Sequence, residues 1–506
     1  MKRGWKILLG TAAFSGICAG ALPFLHFKAR RAVEVYKRQL VAQGEKLTIT
    51  ELVPASSISG NKQGREFLEK AKPFSDFGRT LFPPPMQMIS PGRAMVSWRA
   101  NAIDDVSRSQ LQRDVEANAQ ATAALRAASE GGELIFPMEL GLGYRSPFQR
   151  PGPMRQAANW LAMATIFQLH EGKKVEAGEN LKAMLRSIEN YKGEPSMLSQ
   201  FQRTASVQIA FNTTWEALQY PAWSDRELEE LQKGWNAVKF ESAEGFFAIA
   251  LANGSRPFEE ARKSPEGAAS ISARGTSTSL VDDLTDFAAG VTTDPGAAFK
   301  TLMNRPNQRV WRWVVSYEEE LFTLKLWHSG LEAARTMEQR GYLLPGLKEL
   351  DANLEAMGSY EGYLMGDTRT LVRNSLVRLG SARIARQLAL TACALQRSKR
   401  QTGRYPGTLK ELVPQYLAEI PLDPVDGAAV RYRPNANGSF LLYSVGDNGV
   451  DDGGDPALRE NADPGGTSSR RMRWSYVSRG RDWVWPQPAT KSEIQKWKEE
   501  ETKRVR

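Results

Sequence analysis

Residues 174–191 read KVEAGENLKAMLRSIENY, and Ala177, Leu181, Met184, Ile188 and Tyr191 recur in it at steps of four, three, four and three. That spacing lays one apolar stripe along a helix whose other faces carry Lys, Glu, Asn and Arg. On the far side of Gly172, Trp160, Met163 and Phe167 keep the same rhythm, so the two segments predict an antiparallel helical hairpin. Downstream, a helix is predicted over residues 198–220, with Trp215 and Leu218 on its apolar side. Ser224-Asp225-Arg226-Glu227 has the form of a capping box, and the helix it opens places Leu228, Leu231, Trp235 and Val238 on one face. Leu324, Trp327, Leu331 and Ala334 mark a further helix. The expected fold class is mainly α: an N-terminal transmembrane helix, a body of helical hairpins, and a small C-terminal α+β domain with an antiparallel sheet.

Composition narrows the chemistry. The 506 residues are 41% hydrophobic and 25% charged, which suits a folded globular chain and excludes a collagen-like or wholly disordered one. A mean hydropathy of −0.44 excludes a polytopic membrane protein. Three His and two Cys leave no room for a multi-Cys/His zinc site or an iron–sulfur cluster. Cys18 lies in an apolar run and Cys393 stands alone, so the body is held by its core and not by disulfides. No nucleophile elbow, P-loop, His-Glu-x-x-His or dinucleotide fingerprint occurs. His26, His170 and His328 read as a polar tip ending an apolar run, a cation at a helix end and a packing residue. Asp282-Asp283 and Glu318-Glu319-Glu320 read as solvated charge runs.

The net charge of +10 is carried by the ends: residues 1–40 hold +7 and residues 470–506 hold +6, leaving −3 for residues 41–469. Nucleic acid is therefore not the expected partner. Basic clusters beside an apolar segment face anionic lipid or set topology. Lys2, Arg3 and Lys6 precede Ile7–Phe27, 21 residues without an acid or a base, and Lys28, Arg30 and Arg31 close it. As a helix that run spans roughly 30 Å, the thickness of a bilayer core. The expectation is a signal anchor at residues 7–27 with a cytoplasmic tail at 1–6, in a bacterial inner membrane, and the bulk of the chain periplasmic. Cleavage after Ala19-Gly20-Ala21, giving an exported chain, is the alternative. Residues 28–60 read as a juxtamembrane helix and connector, 61–370 as the helical body with an irregular stretch over 78–100, and 264–296 as a loop-like segment.

Toward the C-terminus the signals sharpen. Ile384, Leu388, Ala392 and Leu395 stripe a long helix that Gly403 and Pro406 stop. Thr408-x-x-Glu411 caps a short helix, Pro421–Gly427 is turn chemistry, and residues 430–433 and 439–445 read as a hairpin closed at Asn435–Gly438. An acidic glycine loop, GDNGVDDGGD, follows at 446–455. Trp474–Tyr476 and Asp482–Pro486 read as closing strand material, and residues 491–506 as a charged helix.

The order of these pieces over about residues 384–455 resembles the C-terminal domain of the type II secretion major pseudopilin. The likeness rests on Gly403–Pro406, Pro421–Pro424 with Gly427, Arg431–Arg433, and Leu442–Gly446 with Gly449. It implies a long helix packed on a small antiparallel sheet over about residues 375–490, and a calcium ion held by the loop after the second strand. The family's N-terminal peptidase site is missing, since residues 7–27 hold no Glu, and residues 456–472 are an insertion. The resemblance thus extends to a domain shape and a metal loop, not to pilus assembly. Independently, calcium takes six to eight hard oxygens on a flexible loop. Asp447, Asp451, Asp452 and Asp455 offer such oxygens, though without the EF-hand order; the same residues also suit a solvated acidic turn. The function expected is binding or scaffolding at the cell envelope, with lipid and envelope proteins as partners and no catalysis. The competing expectation is a hydrolase using two converging carboxylates in a groove of the body.

Overall fold

The computed structural model describes residues 23–53, 59–75, 87–90, 92–95, 105–137, 152–191, 197–240, 242–263, 311–358, 368–457 and 481–505. The chain is mainly helical, with a small antiparallel sheet near the C-terminus. Residues 23–42 form α1, so the end of the apolar run and the helix expected to follow it are continuous. Residues 7–22 of the expected span lie outside the described residues, as do 264–296 and 474–476. Among the described residues no helix is long and apolar enough to cross a membrane.

After α2 (Lys62–Ala71) the stretch expected to be irregular forms a hairpin of β1 (Gln87–Ser90) and β2 (Arg93–Met95), paired Gln87↔Met95. Gly92 lies in the turn between them with a positive φ of 67°, the left-handed region that favours glycine. Helices α3 (Asp105–Ala117) and α4 (Ala119–Ala128) lead to the predicted hairpin, α5 (Pro153–His170) and α6 (Lys174–Asn190), which pack on each other. The α6 stripe is buried as the spacing requires: Ala177, Leu181, Met184, Ile188 and Tyr191 are all 2% exposed or less. Each large side chain so buried contributes roughly 1.5–3 kcal/mol of transfer free energy.

Helix α7 (Met197–Leu218) runs through the middle of the body, touching α5, α6 and, further on, α13. It is not amphipathic. Thr204, Gln208, Asn212 and Glu216, four residues apart, are buried along with its apolar side. Helix α8 (Asp225–Ala237) opens on the predicted capping box: Ser224 N and Oγ donate to Glu227 Oε2 at 2.7 and 2.6 Å. Helices α9 (Ala243–Ala252) and α10 (Arg256–Lys263) follow. A π-helical turn, Trp311–Val315, leads into α11 (Ser316–Arg340), which packs on α9 and on α12 (Leu343–Ala356).

Of the acidic run at the start of α11, expected to be solvated, Glu318 is exposed but Glu319 and Glu320 are buried. Glu319 is 1% exposed and accepts from Trp311 Nε1 at 2.9 Å. Glu320 is fully buried between Lys37 of α1, at 2.7 Å, and Arg262 of α10. Its charge is neutralised by cations from elements distant in sequence, which local reading does not reveal.

Helix α13 (Thr368–Thr402) ends at Gly403, whose φ of 80° lets its N–H reach the Lys399 carbonyl at 2.7 Å. Strands β3 (Arg431–Pro434), β4 (Phe440–Val445) and β5 (Asp482–Val484) form the antiparallel sheet in the order β3-β4-β5. The register Arg431↔Tyr443 and Tyr443↔Val484 sets Arg431, Tyr443 and Val484 in one row. A second, smaller sheet joins β6 (Gln487–Pro488) parallel to β2. The charged helix α14 (Lys491–Val505) closes the chain. Helix α13 packs on β4, but its larger contacts are with α7 and α8.

Candidate functional site

The acidic loop is held at both ends. At its start, a Cβ on Gly446 would fall 1.9 Å from the Arg481 carbonyl, so only glycine lets the loop leave β4 beside β5. At its end, Asp482 N donates to the Asp455 carbonyl at 3.0 Å.

Within that frame the four expected metal-binding carboxylates meet different neighbours. Asp447 turns toward α13, accepting from Arg373 Nη1 at 3.0 Å, and Arg373 also binds Asp351 of α12. Asp455 accepts from Arg481 Nη1 at 3.2 Å and from Ala457 N at 2.9 Å. Asp451 accepts from Tyr443 Oη at 2.9 Å, from Gly453 N at 3.0 Å and from Arg431 Nε at 3.2 Å. Burial opposes the charge on Asp451, but those three donors outweigh it and hold the carboxyl below its usual range. Burial, followed by the hydrogen bond and charge of Asp451, pushes the Tyr443 phenol up to about 12.

Asp452 differs. Its Oδ2 is buried and accepts no hydrogen bond. Asp482, 1% exposed at the start of β5, shares that condition: Oδ2 accepts from Gly454 N at 2.7 Å, while Oδ1 is buried without a donor. Burial raises the Asp482 pKa most, and the charges of Asp451 and Asp452 raise it further against the backbone donors of Gly454 and Asp452. A buried carboxylate oxygen with no donor carries an uncompensated desolvation cost. Asp451 and Asp452 act on Asp482 electrostatically, though Asp451, Asp452 and Asp482 do not bring ligand atoms within 4.8 Å of one another as Glu45, His328 and Glu332 do. Hard oxygen donors of this kind suit Ca²⁺. Asp447, Asp451 and Asp455 are each engaged by an arginine, while Asp452 and, from β5, Asp482 keep an oxygen without a donor.

Beneath the loop lies a denser charge network. Asp423 is 1% exposed and accepts from Val425 N, Ser444 Oγ, Val445 N and Arg431 Nη1, all within 3.0 Å. Arg431 also binds Asp426 and Asp451, so one guanidinium ties the turn before β3 to the loop after β4. This is a fully satisfied network, and it positions the loop.

No family model, curated protein or solved structure matches the chain.

Other places also hold chemistry-bearing groups. Glu45, His328 and Glu332 bring ligand atoms within 4.8 Å of one another. Arg335 already occupies that spot, reaching Glu45 Oε1 and Glu332 Oε1 at 2.6 Å and Glu244 at 2.9 Å, while Tyr36 Oη meets His328 Nδ1 at 3.1 Å. The cluster is an ion-pair clamp holding α1 and its following loop to α11. A cleft of about 320 Å³ between α5 and α7 is lined by Ile166, Leu169, His170, Glu216, Tyr220 and Pro221. It offers one carboxylate, where the hydrolase expectation asks for two, but a cleft of about 540 Å³ is lined by Glu259 and Glu260 and another by Glu179, Glu227 and Glu230; in both, the carboxylates are paired with Lys37, Arg256, Lys174 and Lys182.

Sequence reading missed Asp482 and Arg431 as members of the loop's environment. Arg431 was legible only as a strand residue. Asp482 lies beyond the insertion at 456–472, and nothing in its local sequence ties it to Asp452.

Proposed function

We propose that this chain is a membrane-anchored binding or scaffolding protein of the cell envelope. In this reading residues 7–27 hold it in the lipid, and its C-terminal α+β region takes up Ca²⁺ between the loop at 446–455 and Asp482. The observation that carries the calcium reading is the pair of buried, donor-free oxygens, Asp452 Oδ2 and Asp482 Oδ1. In this reading a divalent cation compensates both oxygens and offsets the burial, and after it the charges of Asp451 and Asp452, that raise the Asp482 pKa. On the same reading the remaining oxygens of its shell come from the glycine-rich backbone, whose carbonyls are of the required hard type. Because the loop is fastened to α12 and α13 through Asp447 and Arg373, a bound ion stiffens a surface shared by the sheet and the helical body. That is a structural role for the metal, in keeping with scaffolding.

The test uses the full chain in detergent. Thermal unfolding is followed with Ca²⁺ at about 1 mM and with excess chelator, for the native protein and for Asp452→Asn and Asp482→Asn. Binding at 100 times Kd adds about 2.7 kcal/mol to stability. The expected result is a calcium-dependent rise in Tm of several degrees that either substitution abolishes, with Mg²⁺ giving a smaller rise. Equal melting with calcium and chelator, or an undiminished rise in both variants, removes the calcium reading.

A further inference from the structure

Three large apolar side chains stand exposed where α1 begins: Phe24 at 66% and Phe27 at 61% on α1, and Trp313 at 55% on the turn that His26 holds beside it. Single exposed hydrophobes are ordinary, and a cluster of them marks an interaction surface. His26 fixes the cluster. Its Nδ1 donates to the Trp313 carbonyl at 2.6 Å, and its ring packs 5.4 Å from that of Trp313 and 5.3 Å from that of Tyr317. The turn Trp311–Val315 and the start of α11 are therefore level with the first turns of α1. Those turns are the last residues of the apolar run Ile7–Phe27. Immediately beyond them Lys28, Arg30 and Arg31 are exposed.

We infer that this corner is a lipid-contact surface: Trp313 enters the bilayer interface beside Phe24 and Phe27, with Lys28 and Arg31 against anionic headgroups. The inference rests on the reading of residues 7–27 as a membrane span. A lipid surface is favoured over a protein partner because the patch continues an apolar run of bilayer length and ends where that run ends. An aromatic and apolar ring followed at once by cations also matches the layering of a membrane–water interface. The consequence is a second attachment, contributed by a residue nearly 300 positions away from the anchor. A helix leaving a membrane alone lets its cargo swing. Here α1 is fastened along its length to α11 through Tyr36–His328 and Lys37–Glu320, and Trp313 adds a contact off the helix axis. The body is thereby held at one orientation to the membrane.

The full chain, carrying Cys18→Ser and either Trp313→Cys or Val175→Cys, is labelled with an environment-sensitive bimane and reconstituted into phosphatidylcholine–phosphatidylglycerol vesicles. Cys393 is buried and does not label. Val175, 68% exposed on α6, is the control. With brominated acyl chains in the vesicles, quenching at position 313 is expected to exceed that at 175 at least about threefold, as for a side chain at the interface. A chain that floats with the vesicles yet shows equal quenching at both positions overturns the lipid contact and leaves the anchor standing. A position 313 shielded from both bromolipid and aqueous iodide assigns the corner to protein and likewise overturns it. A chain that does not float with the vesicles overturns the anchor reading, and this inference with it.

Discussion

At the scale of single residues, the informative groups are buried carboxylates, and they divide by partnership. Asp423 has four donors, and Glu320 lies between two cations. Asp482 has an oxygen with none, which gives a pH signature. Its folded pKa is raised, by burial first and by Asp451 and Asp452 after, so the folded state holds the proton more tightly than the unfolded chain. The resulting stability is fully present below the unfolded value of about 3.9 and is lost as pH rises through the folded pKa. Without calcium, Asp482→Asn is therefore expected to be more stable than the native protein at pH 7, with the gap closing toward pH 3.5. Chemical denaturation in chelator at both pH values measures this, and a variant that is less stable at pH 7 defeats the argument. Composition made Asp447, Asp451, Asp452 and Asp455 visible together. What each one does depends on Arg373, Arg431 and Arg481, whose approach is set by pairing register and helix packing, not by spacing along the chain.

At the scale of elements, periodicity served wherever one face of a helix meets water. The stripes of α6 and α8 and the end of α13 at Gly403 were all legible, because burial on one side writes a 3.6-residue period into the sequence. Helix α7 is the counter-example: surrounded by other helices, it buries Thr204, Gln208, Asn212 and Glu216 as well as Phe211 and Trp215, and its polar positions carry no sign of which side is inward. The β1–β2 hairpin escaped notice because its strands are only four and three residues long and lie among prolines. Helix α1 illustrates an element secured by charge. Glu45, 8% exposed at its end, depends on Arg335 of α11, which also gathers Glu244 and Glu332. Removing the guanidinium in Arg335→Ala strands a buried carboxylate, at a cost of about 2 kcal/mol after allowance for the partly exposed arginine. Because the Arg335 clamp joins α1 and its following loop to α11, and not to α5–α7, the loss is expected to appear locally. Amide exchange over residues 23–42 should accelerate roughly thirtyfold, while α5, α6 and α7 keep their protection. Acceleration spread evenly over the body, or none in α1, would falsify this view of the clamp.

At the scale of the whole molecule, the question is whether the C-terminal region stands apart. Its local signals read as a self-contained unit, because a helix, a capped turn and a hairpin in order are what a small α+β domain needs. The packing ties it to the rest. Helix α13 lies against α7 and α8 as well as β4, and Ala382, Ala385, Ala389 and Leu388 belong to the same continuous core as Trp160 and Trp235. Past β5 the chain is laced into the body: Trp485 meets Phe211 edge to face at 5.0 Å, Trp215 Nε1 donates to the Pro486 carbonyl at 2.6 Å, and β6 pairs with β2. A helix that buries more than one side cannot be separated from its partners without exposing apolar surface. Excised residues 375–490 are accordingly expected to keep helical far-UV dichroism, bind a hydrophobic dye and unfold in urea with a shallow, poorly cooperative transition. The full chain, by contrast, should unfold its sheet and its α5–α8 helices together, as seen by exchange in both regions at matched denaturant. A fragment that unfolds cooperatively, with a slope near the 1–3 kcal/mol/M usual for small domains, would show that the sheet and α13 suffice for each other. The contacts to α7 and α8 would then be an interface between two folding units and not part of a single core.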